Sequence, residues 1–234
     1  MTAETRASQT ATDERLARVG AVRGLFRRVE VGALIGAVVV WVLFALVTPE
    51  HWVSITGVAR ILDPASTLGI MATAVAMLMI GGETDLSTGV MTGTTGLVAG
   101  LLATRAGWNL WPAMLAALVF ALAVGYLNGV MVVRTGLPSF IVTLATFFIL
   151  RGANVGVTRL VTEQVYVGGI DKAAGFAAAR TLFNTGINFL GVEFRSAIIW
   201  WVVLALVASF VLLRTRYGSW VFAAGGDANA ARNA

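Results

Sequence analysis

Two carboxylates, Glu83 and Asp85, stand in the segment Gly81-Gly82-Glu83-Thr84-Asp85-Leu86-Ser87, with long apolar runs on both sides. A carboxylate at such a boundary is costly to bury unless it is paired or hydrated, so the placement asks for a chemical reason. Two reasons are open. Asp85 can accept backbone amides at the start of the following helix, or either acid can handle a proton or a solute. Ser139, Thr143 and Thr146 recur at helical spacing and share one face. Three aligned hydroxyls can hydrogen-bond a small hydroxylated solute, or they can bond carbonyls of their own or a neighbouring helix. Asn128, with two donors and an acceptor, is open to the same two readings.

Other chemistries are excluded by what the chain lacks. It has no cysteine and a single histidine, His51, so thiolate metal sites, disulfides and a cysteine nucleophile are removed together. The sole lysine, Lys172, is followed by Ala173 and Ala174, so there is no Gly-Lys-Ser/Thr phosphate loop. One histidine and two clustered acids leave little for enzymatic catalysis.

The elements that position these groups follow from composition. Of 234 residues, 58% are hydrophobic and 12% charged, and the mean hydropathy is +0.83. So few charges cannot cover a water-soluble globule this apolar, so lipid is the outer solvent. A net charge of +5 with 17 basic residues raises the question of nucleic acid, but these residues do not cluster on one element. Arg6, Arg15, Arg18, Arg23, Arg27 and Arg28 precede the first apolar run, and nearly all the others fall between runs. That is the loop-charge pattern of a membrane protein.

The expected fold is all-α, a polytopic transmembrane helical bundle of about six spans. Residues 1–28 are read as a flexible cytoplasmic tail and 29–234 as the transmembrane domain. The spans are expected at Val31–Val47, from Asp63-Pro64 to Ile80, Leu86–Ala103, Trp111–Val133, Leu137-Pro138 to Leu150, and Ala197–Leu213. Asp63 is read as an N-cap with Pro64 at the first helical position, and 152–196 as a long periplasmic loop that can hold short surface helices. Both termini face inward, with Arg134, Arg214 and Arg216 inside, although Arg60, Arg105, Arg159, Lys172, Arg180 and Arg195 then lie outside. Gly89, Gly93, Gly96 and Gly100 strip one helical face of side chains, as do Gly125 and Gly129, and tight helix packing is the expected reason. Arg151 is read as snorkelling to the outer interface.

The end of the chain, Arg214 to Ala234, carries Tyr217-Gly218, Gly225-Gly226 and Asp227-Ala228-Asn229-Ala230-Ala231-Arg232. It reads as a turn followed by a short amphiphilic helix, either a docking element or an ordinary inter-span loop.

Together these residues carry a resemblance. Met79 to Gly89 resembles the Gly-Gly…Asp-Leu-Ser-Val-Gly signature of permeases from ribose- and xylose-type ABC importers, through Gly81, Gly82, Glu83, Asp85, Ser87 and Gly89. Asn128-Gly129, Leu137 to Leu144 and Arg151-Gly152 resemble a second block, and Arg216 to Gly226 with Ala230-Ala231-Arg232 a third. Thr84 and Thr88 depart from the pattern, standing where the family more usually has apolar residues.

The resemblance implies a permease subunit, not an enzyme, importing a pentose or hexose across the inner membrane. It binds no cofactor itself. ATP is hydrolysed by a separate cytoplasmic subunit, and the other partners are a periplasmic sugar-binding protein, a second permease copy and membrane lipid, with no nucleic acid. Arg216, Gly218, Gly225, Gly226, Ala231 and Arg232 would form the ATPase-docking segment within 214–234. Asn128, Ser139, Thr143 and Thr146 would line the substrate path. Family members continue with further spans, so the chain is expected to be truncated at its C-terminus. The rival reading is an ion-coupled secondary transporter of a small polar solute, with Glu83 and Asp85 as coupling acids.

Overall fold

The structure is a computed structural model and describes residues 29–226. The expected tail at 1–28 and the expected helix at 227–232, with Ala231 and Arg232, lie outside the described residues. The chain divides into two compact units, residues 1–58 and 59–234.

In the first unit, α1 (Val29–Val47) is apolar on all sides, and its side chains are nearly all exposed. The short α2 (Pro49–Trp52) opens with a proline, whose missing N–H costs nothing at that position. Trp52 stacks on Phe44 with ring centroids 4.9 Å apart.

The next helix, α3 (Ile55–Ile80), corrects the expected start at Asp63. It begins eight residues earlier and runs through Pro64. A proline inside a helix removes one backbone bond, a defect that spanning helices tolerate when nearby hydroxyls serve the backbone. Here the Ser66 hydroxyl, fully buried, donates to the Asp63 carbonyl at 2.7 Å.

In the second unit α4 (Thr88–Thr104), α5 (Leu110–Thr135) and α6 (Ser139–Thr162) form the packed centre, with α4 lying against both of the others. Asn109 caps α5, its Oδ1 accepting from the Trp111 amide at 3.0 Å. Gly136 ends the same helix in the left-handed region, at φ 68°. The sixth helix corrects the reading of 152–196 as loop from its first residue: it continues to Thr162. The added turns are polar, but their hydroxyls are satisfied. Thr158 and Thr162 each donate to the carbonyl four residues back, and Asn154 Nδ2 donates to Thr94 Oγ1 on α4 at 3.0 Å. Arg151 therefore sits inside the helix, not at its outer end.

After α6 come a 3₁₀ turn (Ile170–Lys172), α7 (Phe176–Phe183) and an antiparallel hairpin, β1 (Gly186–Phe189) with β2 (Val192–Arg195). The hairpin, absent from the all-α expectation, is closed by Leu190 and Gly191, both at positive φ, as a two-residue turn of this twist requires. The buried cluster of Ala103, Leu110, Ala113 and Ala179 ties this connection to the ends of α4 and α5, and the Leu110 amide donates to the Ala174 carbonyl at 2.8 Å. The chain finishes with α8 (Ala197–Arg214) and α9 (Arg216–Gly226).

Among the described residues four helices, α3, α5, α6 and α8, are long and apolar enough to cross a membrane. The other two expected spans are shorter. The apolar part of α1 covers Val31–Val47, and the 17 residues of α4 reach about 26 Å against about 30 Å of hydrocarbon. Large apolar side chains are exposed along all four long helices, and α8 has no buried residue. Such surfaces are stable only against lipid or another protein.

Candidate functional site

The Gly-Gly segment is a helix stop with defined hydrogen bonds. The Glu83 amide donates to the Leu78 carbonyl and the Gly82 amide to the Met79 carbonyl, the paired bonds of a Schellman ending. The second glycine carries the left-handed residue of that motif, with φ 86° at Gly82.

Beyond the stop, α6 holds the loop by its backbone. The Thr84 amide donates to Ser139 Oγ at 3.1 Å, and the Leu86 amide donates to Thr143 Oγ1 at 3.1 Å. The Thr143 hydroxyl in turn donates to the Ser139 carbonyl at 2.9 Å. Asp85 then uses its carboxylate to start α4. Its Oδ1 accepts from both the amide and the hydroxyl of Ser87, at 2.8 and 2.6 Å.

Ser87 joins this loop to the helices around it. Its Oγ accepts from Asn128 Nδ2 at 3.3 Å, and Asn128 Oδ1 accepts from Thr146 Oγ1 at 2.6 Å. A continuous relay, Thr146 to Asn128 to Ser87 to Asp85, thus crosses from α6 through α5 to the loop. Ser87, Thr143 and Asn128 are 1%, 3% and 5% exposed. Buried polar groups this well paired fix one arrangement of the elements that carry them.

Beside the relay lies a cavity of about 240 Å³, lined by Leu78, Glu83, Asp85, Asn128, Ser139 and Thr143 together with Gly125 and Gly129. A Cβ added at Gly125 or Gly129 would meet nothing within 4 Å. The packing reading of these two glycines is therefore corrected: they open the cavity wall. The α4 stripe is packed in part. Gly89 and Gly93 lie against the Phe147 ring and the Asn154 amide of α6, a Cβ at Gly100 would meet the Val167 side chain at 3.3 Å, and Gly96 faces open space, so side chains rather than a second backbone close on this face.

Against the other side of the loop lies α9. A Cβ at Gly225 would fall 1.8 Å from the Ile80 carbonyl oxygen, and one at Gly82 would fall 3.4 Å from Gly225 Cα. Gly218, the buried residue of α9, is equally constrained, its added Cβ meeting the Leu212 carbonyl at 1.9 Å. Thr215 caps α9, its Oγ1 accepting from the Gly218 amide at 3.3 Å. The expected turn at Gly225-Gly226 is corrected. Both residues lie within α9 and neither has positive φ. Glycine is needed at 225 for close approach, and Gly226 has no neighbour within 4 Å. Arg216 begins α9 with its side chain exposed.

Sequence reasoning gathers most of these residues but misses the joints between them. Ser87 as the node of the relay, and Gly225 as the contact for Gly82, have no signal in spacing, because their partners lie far away in the chain. Among the described residues, no three His, Cys, Asp or Glu side chains are grouped to hold a metal ion. The arrangement offers a hydrogen-bonding, partly acidic cavity at one end of the α4–α6 seam, in contact with a short helix that follows the last span.

Comparison with known proteins agrees with this architecture. A family model described as the branched-chain amino acid transport system permease component matches residues 57–234. The chain is 30% identical over 172 residues to the xylose transport system permease protein XylH of Escherichia coli K12, an overlap covering 71% of this chain and 44% of that one. It is 28% identical over 197 residues to the autoinducer 2 import system permease protein LsrC of Salmonella typhimurium, covering 84% of this chain and 52% of the relative. The chain thus spans about half the length of these relatives. No solved structure matches. A match over most of the chain, together with four helices of spanning length, makes this a multi-pass protein of the bacterial inner membrane, and the chain belongs to the family of branched-chain amino acid transport system permease components.

Proposed function

We propose that this chain is the membrane-spanning permease part of an ATP-driven importer for a simple sugar. The observation that carries the reading is the cavity beside the relay, a largely apolar wall of Leu78, Val132 and Val133 into which a few hydroxyl, amide and carboxylate groups are set, with α9 pressed against the same loop. A neutral sugar presents hydroxyls that both donate and accept, and Asn128 with the loop groups offers partners of both kinds. The names of XylH and LsrC, which describe xylose transport and autoinducer 2 import, support a small polyhydroxylated solute.

In this reading α9, with Arg216 exposed at its start, meets a cytoplasmic ATP-binding subunit. A periplasmic sugar-binding protein delivers the solute, and a second permease copy completes the path. Closure of the ATPase pair displaces α9. Through Gly225 and Gly82 the displacement reaches the loop, and the cavity opens to alternate sides as the relay shifts between two arrangements. Asn128, Ser139, Thr143 and Thr146 then serve the path in two ways. Asn128 meets solute, the Ser139 and Thr143 hydroxyls hold the loop that shapes the cavity, and Thr146 orients Asn128.

The test is uptake of radiolabelled xylose and ribose into vesicles holding the complete permease with its ATPase and binding protein. Uptake that needs ATP and the binding protein is expected. Glu83 and Asp85 on the cavity wall favour a second reading, an ion-coupled carrier. Uptake that persists with ATP exhausted and a proton gradient maintained would establish that reading instead.

A further inference from the structure

We propose that Arg151 faces a water-filled vestibule inside the membrane and makes it repel cations. Four observations carry this.

The first is depth. Arg151 is the thirteenth of the 24 residues of α6, about 18 Å from the start of a helix about 36 Å long. Its level is fixed independently by contacts to α4. One turn before it, Phe147 lies against Gly89, and three residues after it, Asn154 lies against Gly93 and bonds Thr94. Eleven further residues of α4 follow Gly93, about 16 Å of helix. Arg151 therefore lies midway along α6, level with the first turns of α4.

The second is lack of neutralisation. Among the described residues the only ion pair joins Arg195 and Glu193, far along the chain from Arg151. The contact of Arg151 is with the Phe147 ring, its Cζ 6.0 Å from the centroid, and its side chain is exposed. A guanidinium exposed to lipid within the membrane is costly. Water on that face removes the cost.

The third is a space able to hold that water. A cavity of about 350 Å³ lies beside α4 and α6, lined by Gly93, Gly96, Asn154, Val155, Thr158 and Tyr166. Arg151 is not itself in this lining, but Asn154, Val155 and Thr158 of the wall follow it by three, four and seven residues, within about two turns on the same helical face.

The fourth is polarity. Asn154 spends Nδ2 on Thr94, and its Oδ1 makes no hydrogen bond among the described residues, so the wall offers water a free acceptor.

An arginine beside a narrow hydrated passage raises the electrostatic barrier to protons and metal cations while leaving hydroxylated neutral solutes unaffected. This rests on the proposed transport role only for its benefit. The hydration itself is testable without transport. Residues 1–234 contain no cysteine, so Arg151→Cys in the complete permease, in native membrane vesicles, is read against the unaltered permease labelled in parallel as background. We expect rapid modification by a charged, membrane-impermeant methanethiosulfonate, with Val157→Cys, exposed on another face of α6, at least tenfold slower. Equal rates at the two positions, or modification of position 151 by lipid-soluble maleimide alone, would overturn the vestibule. For the charge, Arg151→Gln in proteoliposomes should leak protons down a pH gradient at several times the rate of the unaltered permease, and Arg151→Lys should not. A tight Arg151→Gln variant would overturn the barrier role.

Discussion

At the scale of single residues, Ser87 does most with least. Its hydroxyl donates to Asp85 and accepts from Asn128, so Ser87→Ala leaves the buried Asn128 and the half-buried Asp85 incompletely paired. Interhelical polar contacts in membranes contribute about 0.6 kcal/mol on average and at most about 1.7, whereas an orphaned buried group costs about 1–3 kcal/mol. Ser87→Ala should therefore lower the unfolding free energy of the detergent-solubilised permease by about 1–2 kcal/mol, measured by denaturant titration. An unchanged midpoint would mean that water replaces the hydroxyl. Thr143 offers a cleaner separation of position from stability. Thr143→Val removes the acceptor for the Leu86 amide at nearly constant shape, and Thr143→Ser restores it. Sugar uptake should fall in the first variant and recover in the second, with assembly of the complex equal in both. Equal uptake in all three proteins would show that the loop does not need this bond.

At the scale of elements, the helix stops were readable where local chemistry decides them, and misread where distant partners do. Gly81-Gly82 ended its helix at Ile80 as glycine placement predicts. Asp63-Pro64 failed as a start because proline's local preference was outweighed by the continuous apolar face of Ile55–Ile80. Leu150 failed as an end because the polar residues after it looked like loop. Their hydroxyls and the Asn154 amide are satisfied within α6 and by Thr94, a partner that period alone cannot reveal. Of the site, the residue types and the shared face of Ser139, Thr143 and Thr146 were legible, but not that the first two serve backbone amides of the loop.

The same distinction between local and distant causes governs α9. Gly225 and Gly226 are adjacent and chemically identical, yet only one abuts the Ile80 carbonyl. Gly225→Val must push α9 off the loop, while Gly226→Val meets open space. ATP hydrolysis should continue without matching uptake in the first variant and stay coupled in the second. Identical coupling in both would refute α9 as the transmitting contact. Gly125→Val makes the complementary case within α5. Its side chain enters the cavity without a clash, so a folded complex with uptake reduced at least tenfold is expected, and normal uptake would place the solute elsewhere.

At the scale of the whole molecule, the deciding quantity is which ends of the helices face the cell interior. Positive charge argues that Arg134, Arg214 and Arg216 lie inside. This places the Ser139 end of α6, the signature loop and α9 on that side, and the hairpin on the other. The basic residues Arg159, Lys172, Arg180 and Arg195 pull against that orientation, so the charge rule alone leaves the question open to measurement. Only α8 separates the hairpin from α9, so a single crossing is tested whatever α1 and α4 do. Asn188 and Ser219 are both exposed, and residues 1–234 contain no cysteine, so the permease without either substitution supplies the background. In whole cells with the outer membrane made permeable, Asn188→Cys should react with an impermeant maleimide. Ser219→Cys should react only once the inner membrane is opened. The reverse pattern would turn the cavity beside the relay outward and remove α9 from reach of any cytoplasmic ATPase. Labelling of both sites from outside would mean that α8 does not cross, despite an 18-residue helix whose residues before Arg214 are all apolar but Ser209.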